Sequence, residues 1–550
     1  MSQTGYWRLA ITPLSPVHLG TGQDYEPTNY VIDDGTLYAF DGVAALEALP
    51  ATERERLGRM VGGRPTPDML RQVQRFFYDN RDILIAVSGH QVRVTRTVEA
   101  FYGERVGRIV QHEHGGGQVQ NKLEIERTAY NPPTGQAILP GSGLKGAMRT
   151  ALLNAVNNGH RLPQDLERDR RANQKLQERL FQYHMGHLEN DPMRLVRIAD
   201  ASLTEPDSFA TQLQFAVNRK KDPVRRGDQE IASQAEQQGL YQLLECLPPM
   251  QPRAFEGGLS IQGTDGVESP KLPSLRFRLG ELAIACNTFY RPILDAELDL
   301  LLRRGFLEAQ WAGALTHLMD GSVGQALREG RAWLLRVGRH SGAESVTLNG
   351  VRRIKIMKGR GEAPDFLDHA KTLWLASDER LAQRNLLPFG WLLVEPWQER
   401  GDLTPWPETG YDAGASAWRL GVRKRQIGLA GQLRQARQRE EARSKAEEEA
   451  AAVEAARLAR RESMSPEELA VDKIRGLLER DRAAGRKEAG GELANALVSA
   501  LKEAEKGWSG PACIQLADLA LEVYGFIGWP GSKKKKERKA LIETVRGRAS

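Results

Sequence analysis

Residues 137–154 read AILPGSGLKGAMRTALLN, and this stretch decides the fold. Ala137, Ile138 and Leu139 form a short apolar strand that runs into Pro140, Gly141, Ser142 and Gly143. Proline cannot donate to a strand ladder and glycine tolerates tight turns, so the strand stops there. Beyond it Leu144, Met148, Ala151, Leu152 and Ala155 recur at helical spacing on one face, which predicts an amphipathic helix. Lys145 and Arg149 lie four apart on a different face and project together. The first N–H groups of a helix have no partner within it, so this helix start, with two cations beside it, suits an anion such as phosphate. On these residues alone, a glycine turn entering an ordinary solvated helix is the competing reading.

Two nucleotide-binding patterns are excluded. GxxxxGK[ST] needs Lys and then Ser or Thr after its second glycine, whereas Gly141 is followed by Ser142 and Gly143. No GxGxxG opens a helix after a convincing strand either.

Working outward, Trp7, Leu9 and Ile11 alternate with Arg8, Ala10 and Thr12, the period of a half-buried strand. Asp34-Gly35 between two short apolar runs predicts a tight hairpin. Residues 83–87 and 92–98 read as a further strand pair. The stretch 161–270 is polar and irregular and reads as an insertion and connecting region. Strand 275–285, a helix over 295–319, strand 332–337, a hairpin around Asn349-Gly350, and strands at 373–376 and 390–395 follow. Alternating strands and helices with hairpins predict an α+β chain with split βαβ, ferredoxin-like sheets. The domains expected are 1–160, the connecting region 161–270, 271–424, a long charged helix 425–462 and a helical bundle 463–550. Ser465, Pro466 and Glu468 supply an N-cap, a first-turn proline and a capping-box acid for that bundle. Lys533–Lys536 reads as a solvated run with weak, nonspecific affinity for RNA.

A chain of 550 residues exceeds one ordinary core, so two or three domains are expected. A net charge of +6 is mildly suggestive of a polyanionic partner. Three dispersed cysteines argue against a disulfide framework or a cysteine zinc site and suit a reducing cytoplasm. No apolar run reaches the ~20 residues of a membrane span, so no membrane partner is expected.

The longer string does more. Leu123-Glu124-Ile125-Glu126-Arg127, Pro132-Pro133-Thr134-Gly135 and then ILPGSGLKGAMRTALLN resemble the RAMP superfamily of CRISPR proteins. So does the opening Thr12–Gly22 (TPLSPVHLGTG), with its glycine loop. Tyr30–Asp33 with its hairpin, Val337–Gly342 and Leu387–Trp391 resemble the subunits that occupy the fifth place in type III-A Csm complexes. Gly143, where that family usually has a second serine, is a mild departure.

The resemblance spans residues 7–396 and implies two modified RRM-like (ferredoxin-like) domains with helical insertions; the long helix and small helical bundle after 425 lie outside it and are read from composition and periodicity. It also implies a guide-RNA carrier that grips backbone rather than reading bases. No RNP1-type aromatic motif is present, and glycine loops with basic side chains take its place. The expected RNA-binding residues are His18, Gly20, Gly22, Gly141, Ser142, Gly143, Lys145, Gly146, Arg149, Arg339, His340, Arg353, Lys355 and Lys358. Expected partners are CRISPR guide RNA, target RNA indirectly, and the other RAMP, large and small subunits of a type III complex. The resembled subunit caps the complex at the guide's 3′ end.

Catalysis is not expected. RAMP backbone subunits cut RNA with a metal-bound aspartate, and Asn29 stands where that aspartate aligns. Asp33 and Asp34 read as turn residues, with Mg²⁺ binding by them or Asp24 as the alternative. His18 as an acid–base residue of a repeat-processing nuclease is the other alternative. The pairs His112/His114 and His184/His187 are weak metal patterns, so no metal or cofactor is expected.

Overall fold

A computed structural model gives the fold. It describes residues 4–549 except 65, 109–110, 113–117, 120–122, 168, 228, 238–239, 265–268, 270, 358–362, 410 and 412–413. The chain forms two compact units, Met1–Leu433 and Arg434–Ser550.

In the first unit the opening strand Gly5–Pro13 lies in the middle of a sheet. It is antiparallel to Phe255–Ile261 on one side and to Trp391–Trp397 on the other, with Leu9 opposite Gly257 and Pro396. From edge to edge the order is Trp333–Arg336, Trp391–Trp397, Gly5–Pro13, Phe255–Ile261, Ala201–Leu203, Ile138–Leu139. Val196–Ile198 also pairs with Phe255–Ile261. Helices Gly141–Asn157 and Leu279–Arg303 pack on each other, and Leu144, Met148, Leu282, Cys286 and Tyr290 share one core with Leu9, Ile11 and Leu393. In chain order this is strand, helix, strand, strand, helix, strand, with the first and third strands central. That is the ferredoxin-like arrangement.

The α+β class expected from sequence is therefore present, but it is gathered from the whole first unit. Residues 5–13, 196–203, 255–261 and 391–397 supply the four strands, so this sheet is not confined to 1–160 or to 271–424. The stretch 161–270, read as a connecting region, contributes central strands to both sheets. Periodicity marks a strand but does not say which distant strand will pair with it.

A second sheet runs Gly20–Tyr25, Ile125–Thr128, Tyr241–Cys246, Gln212–Lys220, His90–Arg93, Thr36–Ala39, Tyr30–Asp33. Thr372–Ser377 pairs with the central Gln212–Lys220. The Asp34-Gly35 hairpin forms as expected, and φ of +49° and +67° suits the turn that Asp-Gly favours.

Several local expectations are corrected. Ile83–Val87 belongs to a helix, Arg81–Val87, with Leu84 and Ile85 buried. The strand expected over 92–98 ends at Arg93, because Thr95 accepts the Val98 N–H and caps a helix from Arg96. Residues 279–285 open the helix Leu279–Arg303, whose buried residues Leu282, Ala283, Cys286, Phe289 and Tyr290 follow helical spacing. Short apolar runs fit a buried helix as well as a buried strand, so pattern alone misleads here. Gly350 does turn the chain, at φ +80°. However, Ala343–Val346 is a 3-10 turn, and Ile354–Ile356 pairs forward with Asp365–Leu367.

A helix from Ala415 to Glu462 continues from the first unit into the second. It starts earlier than the composition suggests, because Trp418 donates to Thr36 Oγ1 at 3.0 Å and Val422 is buried. The second unit has its own core, with Ile474, Leu478, Leu497, Leu501, Leu516 and Val523 among its buried residues. Its helices are Pro466–Ala483, Glu492–Gly507, Pro511–Ile527 and Ser532–Gly547. Ser465 and Glu468 exchange the two bonds of a capping box.

Candidate nucleic-acid interface

The motifs that stood apart in sequence meet at one place. Gly338 has φ +80°, and a Cβ there would lie 2.2 Å from the His18 carbonyl oxygen, so only glycine fits. The next residue, Arg339, donates its N–H to that same oxygen at 2.9 Å. Gly390 donates to Pro16 O at 2.9 Å, while its own carbonyl accepts from Val337 N–H at 2.9 Å. From the other side, Gly143 faces Leu19, whose Cδ2 would be 3.4 Å from an added Cβ. The first glycine loop, the helix start at 141, the second glycine loop and the segment 387–391 thus form one junction.

The helix start is close-packed. Gly141 leaves no room for a Cβ, which would come within 2.5 Å of the Ile198 carbonyl oxygen. Its N–H donates to Asp200 Oδ1 at 2.7 Å, so a carboxylate already meets one of the free helix donors. Ser142 and Gly146 are exposed, as are Gly20 and Gly22.

His18 is fully buried and works as a structural pin. Its Nδ1 lies 2.7 Å from the Glu245 carbonyl oxygen, and Nε2 is 3.7 Å from Glu126, beyond hydrogen-bond reach. Burial pulls its pKa down, so the ring is held neutral. Beneath it sits Glu245, which sequence reading missed. Its carboxylate accepts from Tyr25 O–H (2.9 Å), Thr211 O–H (2.7 Å) and Thr128 N–H (3.1 Å), with His90 Nε2 at 3.3 Å. Burial raises its pKa, but the bonds from His90, Thr211 and Tyr25 outweigh burial and keep it below the usual glutamate value. The signal was present: one acid stands inside Leu243-Leu244-Glu245-Cys246-Leu247, where an unpaired charge would be costly.

The predicted cations divide into different roles. Arg339 reaches Glu126 at 2.5 Å, and Glu126 has a raised pKa from burial, which the Arg339 charge opposes. His340 stacks on Trp374 at 5.0 Å and meets Gln242 at 2.7 Å. Burial, then the charges of Arg339 and His18, push its pKa down to about 4. Lys145 is partly buried, and its pKa is lowered mainly by that burial. Arg149 is committed to the fold: it holds Asp191 with two bonds (3.0 and 2.7 Å), Gln177 at 3.2 Å and Tyr183 at 3.0 Å. A groove of about 680 Å³ nevertheless brings Arg149 together with Arg161, Arg352 and Arg353, against the single acid Glu167. Arg353, just before the short strand Ile354–Ile356, and Lys355 on it are exposed, with Arg353 over the Phe366 ring. Lys358 lies outside the described residues.

A second groove, about 880 Å³, opens beside Gly22 and Tyr25. Arg127 lines it, but so do Asp24, Glu26 and Asp41, so it adds no clear anion site.

Of the aspartate candidates, Asp33 and Asp34 are engaged in ion pairs, while Asp24 is exposed at the second groove. Asp33 pairs with Arg81 at 3.0 Å and with Arg425, and Asp34 pairs with Arg425 at 3.5 Å. Asn29 accepts the Glu26 N–H at 3.0 Å, a local turn bond. His187 N–H donates to His184 O across a turn, and its exposed ring sits 3.3 Å from Glu189. His114 and the side chain of His112 lie outside the described residues. Among the described residues, no group of three or more His, Cys, Asp or Glu could hold a metal, and no helix is long and apolar enough to cross a membrane.

This fold and junction are those of a glycine-loop, ferredoxin-like protein. Residues 10–307 match the RAMP superfamily, and the chain belongs to that superfamily. The chain is similar to several solved structures, among them the following two. One chain comes from a cryo-EM structure of the Csm-crRNA-target RNA ternary complex of a type III-A CRISPR-Cas system. It is 15% identical, with a TM-score of 0.37, covering 71% of this chain and 100% of that one. The other is Csm5 of T. onnurineus, 16% identical with a TM-score of 0.37, covering 70% of this chain and 99% of that one. No curated protein matches the chain.

Proposed function

We propose that this chain is an RNA-binding, noncatalytic subunit of a type III CRISPR effector complex, and that it holds the guide backbone and caps the complex at the guide's 3′ end. The observation that carries the reading is the junction of the glycine loops around the His18 carbonyl, with Arg339 beside it. Loops without side chains let a phosphate backbone approach closely, and cations without base-reading aromatics bind any sequence alike. The arginine-lined groove beside Arg149 and Arg353 extends the same character. Membership in the RAMP superfamily agrees with it.

The ribonuclease alternative finds less support. His18 is sealed from solvent, and Asp33 is neutralised by two arginines. Partners on this reading are guide RNA and the neighbouring RAMP, large and small subunits, in the cytoplasm.

The test is to purify the protein with its neighbouring gene products from cells carrying a CRISPR array and to sequence the bound RNA. Guides sharing a repeat-derived 5′ end, with 3′ ends left unprotected when this chain is omitted, are expected. Random RNA, no RNA, or Mg²⁺-dependent shortening of bound RNA by the purified chain would overturn the proposal.

A further inference from the structure

The run Lys533–Lys536 is not absorbed by the site above, and the structure gives it a definite setting. It forms the first turn of the helix Ser532–Gly547, in a sequence continuing Glu537, Arg538, Lys539. The first turn of a helix carries the positive end of its dipole and favours acids. Here no acid lies in that turn and no side chain caps it, so the lysines oppose the dipole of their own helix. They are exposed, and none belongs to the buried core of the unit. The helix packs through Ile542 and Val545, buried further along.

Next to the lysines lies Trp529, half-buried against the core of this unit. Trp529 stacks on Tyr524 at 4.6 Å with 21° between the rings. Lys535 and Lys539 hold their ammonium groups 5.8 and 5.5 Å from the Trp529 ring centre. Tyr524 is 4% exposed, and its hydroxyl is a buried polar atom with no partner. On the same unit, Arg482 and Lys487 stand 5.8 and 5.7 Å over Phe526.

We propose that the helical unit Arg434–Ser550 carries its own surface for single-stranded RNA, formed by Trp529, Lys533–Lys536 and Lys539. Clustered cations beside a stacked aromatic ring are what a single strand requires: charge for phosphates and a π-face for bases. An anionic membrane is the less suitable partner. The apolar residues of this helix face the core, and none of its large apolar side chains is left exposed for insertion.

The test uses the full-length protein and a labelled oligouridine, with affinity measured between about 50 and 200 mM salt. Replacing all four lysines (K533Q, K534Q, K535Q, K536Q) is expected to reduce the slope of log affinity against log salt by about 3, at ~0.7 per lost phosphate contact. The matching Lys→Arg set is expected to keep the wild-type slope. Thermal unfolding of the Gln set is expected to be unchanged or raised, since the clash with the dipole is relieved. R339A tests the first-unit site separately and leaves the lysine-dependent change of slope intact. Equal slopes for wild type and the Gln set overturn the proposal. So does a Gln set that keeps RNA affinity while losing binding to phosphatidylserine vesicles.

Discussion

The junction of the two glycine loops can be tested with a matched pair of substitutions, Gly338→Ala and Gly22→Ala. Both glycines have positive φ, +80° and +75°. An alanine in that region costs about 1–2 kcal/mol at either position, from the clash of Cβ with its own backbone. The difference lies in the surroundings: nothing is within 4 Å of a Cβ at Gly22, whereas at Gly338 it would meet the His18 oxygen at 2.2 Å. Carbon and carbonyl oxygen settle at about 3.3 Å or more, so the loops must part by roughly 1 Å. Forced overpacking of that kind adds ~1–3 kcal/mol. Urea unfolding of the first unit should therefore show a loss of ~1–2 kcal/mol for G22A and ~2–5 kcal/mol for G338A. Affinity for a short RNA should fall at least about tenfold more in G338A, because the Arg339 N–H is carried away from the His18 carbonyl. Equal losses for the two variants, within about 0.5 kcal/mol, would refute the clamped junction.

Four other outcomes are expected. Glu245→Leu strands the Tyr25 and Thr211 hydroxyls and the Thr128 N–H, and should lower stability by ~3–5 kcal/mol in denaturant melts, with Glu245→Gln recovering part. His340 sits at about pKa 4 when folded and near 6.5 when unfolded, so only the unfolded chain takes up its proton between those values. Stability present above pH ~6.5 should then fall by up to about 3 kcal/mol towards pH 4, and His340→Gln should flatten that part of the pH–stability curve. Arg149→Ala breaks the two-pronged bond to Asp191 and should destabilise by ~3 kcal/mol while changing RNA affinity of the folded protein little. Arg339→Ala should do the reverse, which parallel melts and binding titrations will separate.

The local turns and caps were legible because they are written in short strings. The Asp34-Gly35 turn and the Ser465–Glu468 cap each depend on residues within a turn of one another, and each formed as read. The helix after Pro140 also formed, but it begins at Gly141, and the N–H read as open to an anion is met by Asp200. What could not be read was pairing at a distance. Nothing in Leu9 or Ile11 says that their neighbours will be Gly257 and Val394. Arg149 was read as a free cation because its partner, Asp191, arrives from a turn far along the chain. The runs 83–87 and 279–285 were misread for a different reason. Each is apolar enough to be buried in either regular form, and packing rather than propensity made both helical. Glu245 lay in plain view as a lone acid in an apolar strand, a sign of buried charge that deserves as much weight as any motif.

The position of the strand Gly5–Pro13 has a consequence for how the protein is made. It leaves the ribosome well before its partners Phe255–Ile261 and Trp391–Trp397. Until the last of these emerges, one edge of the strand has nothing to pair with, and closing so long a loop is slow. An open strand edge is a template for joining another chain. A fragment stopped at residue 307, where the superfamily match ends, would keep that edge bare. Such a fragment is expected to aggregate, and a usable truncation of the first unit has to extend past Trp397.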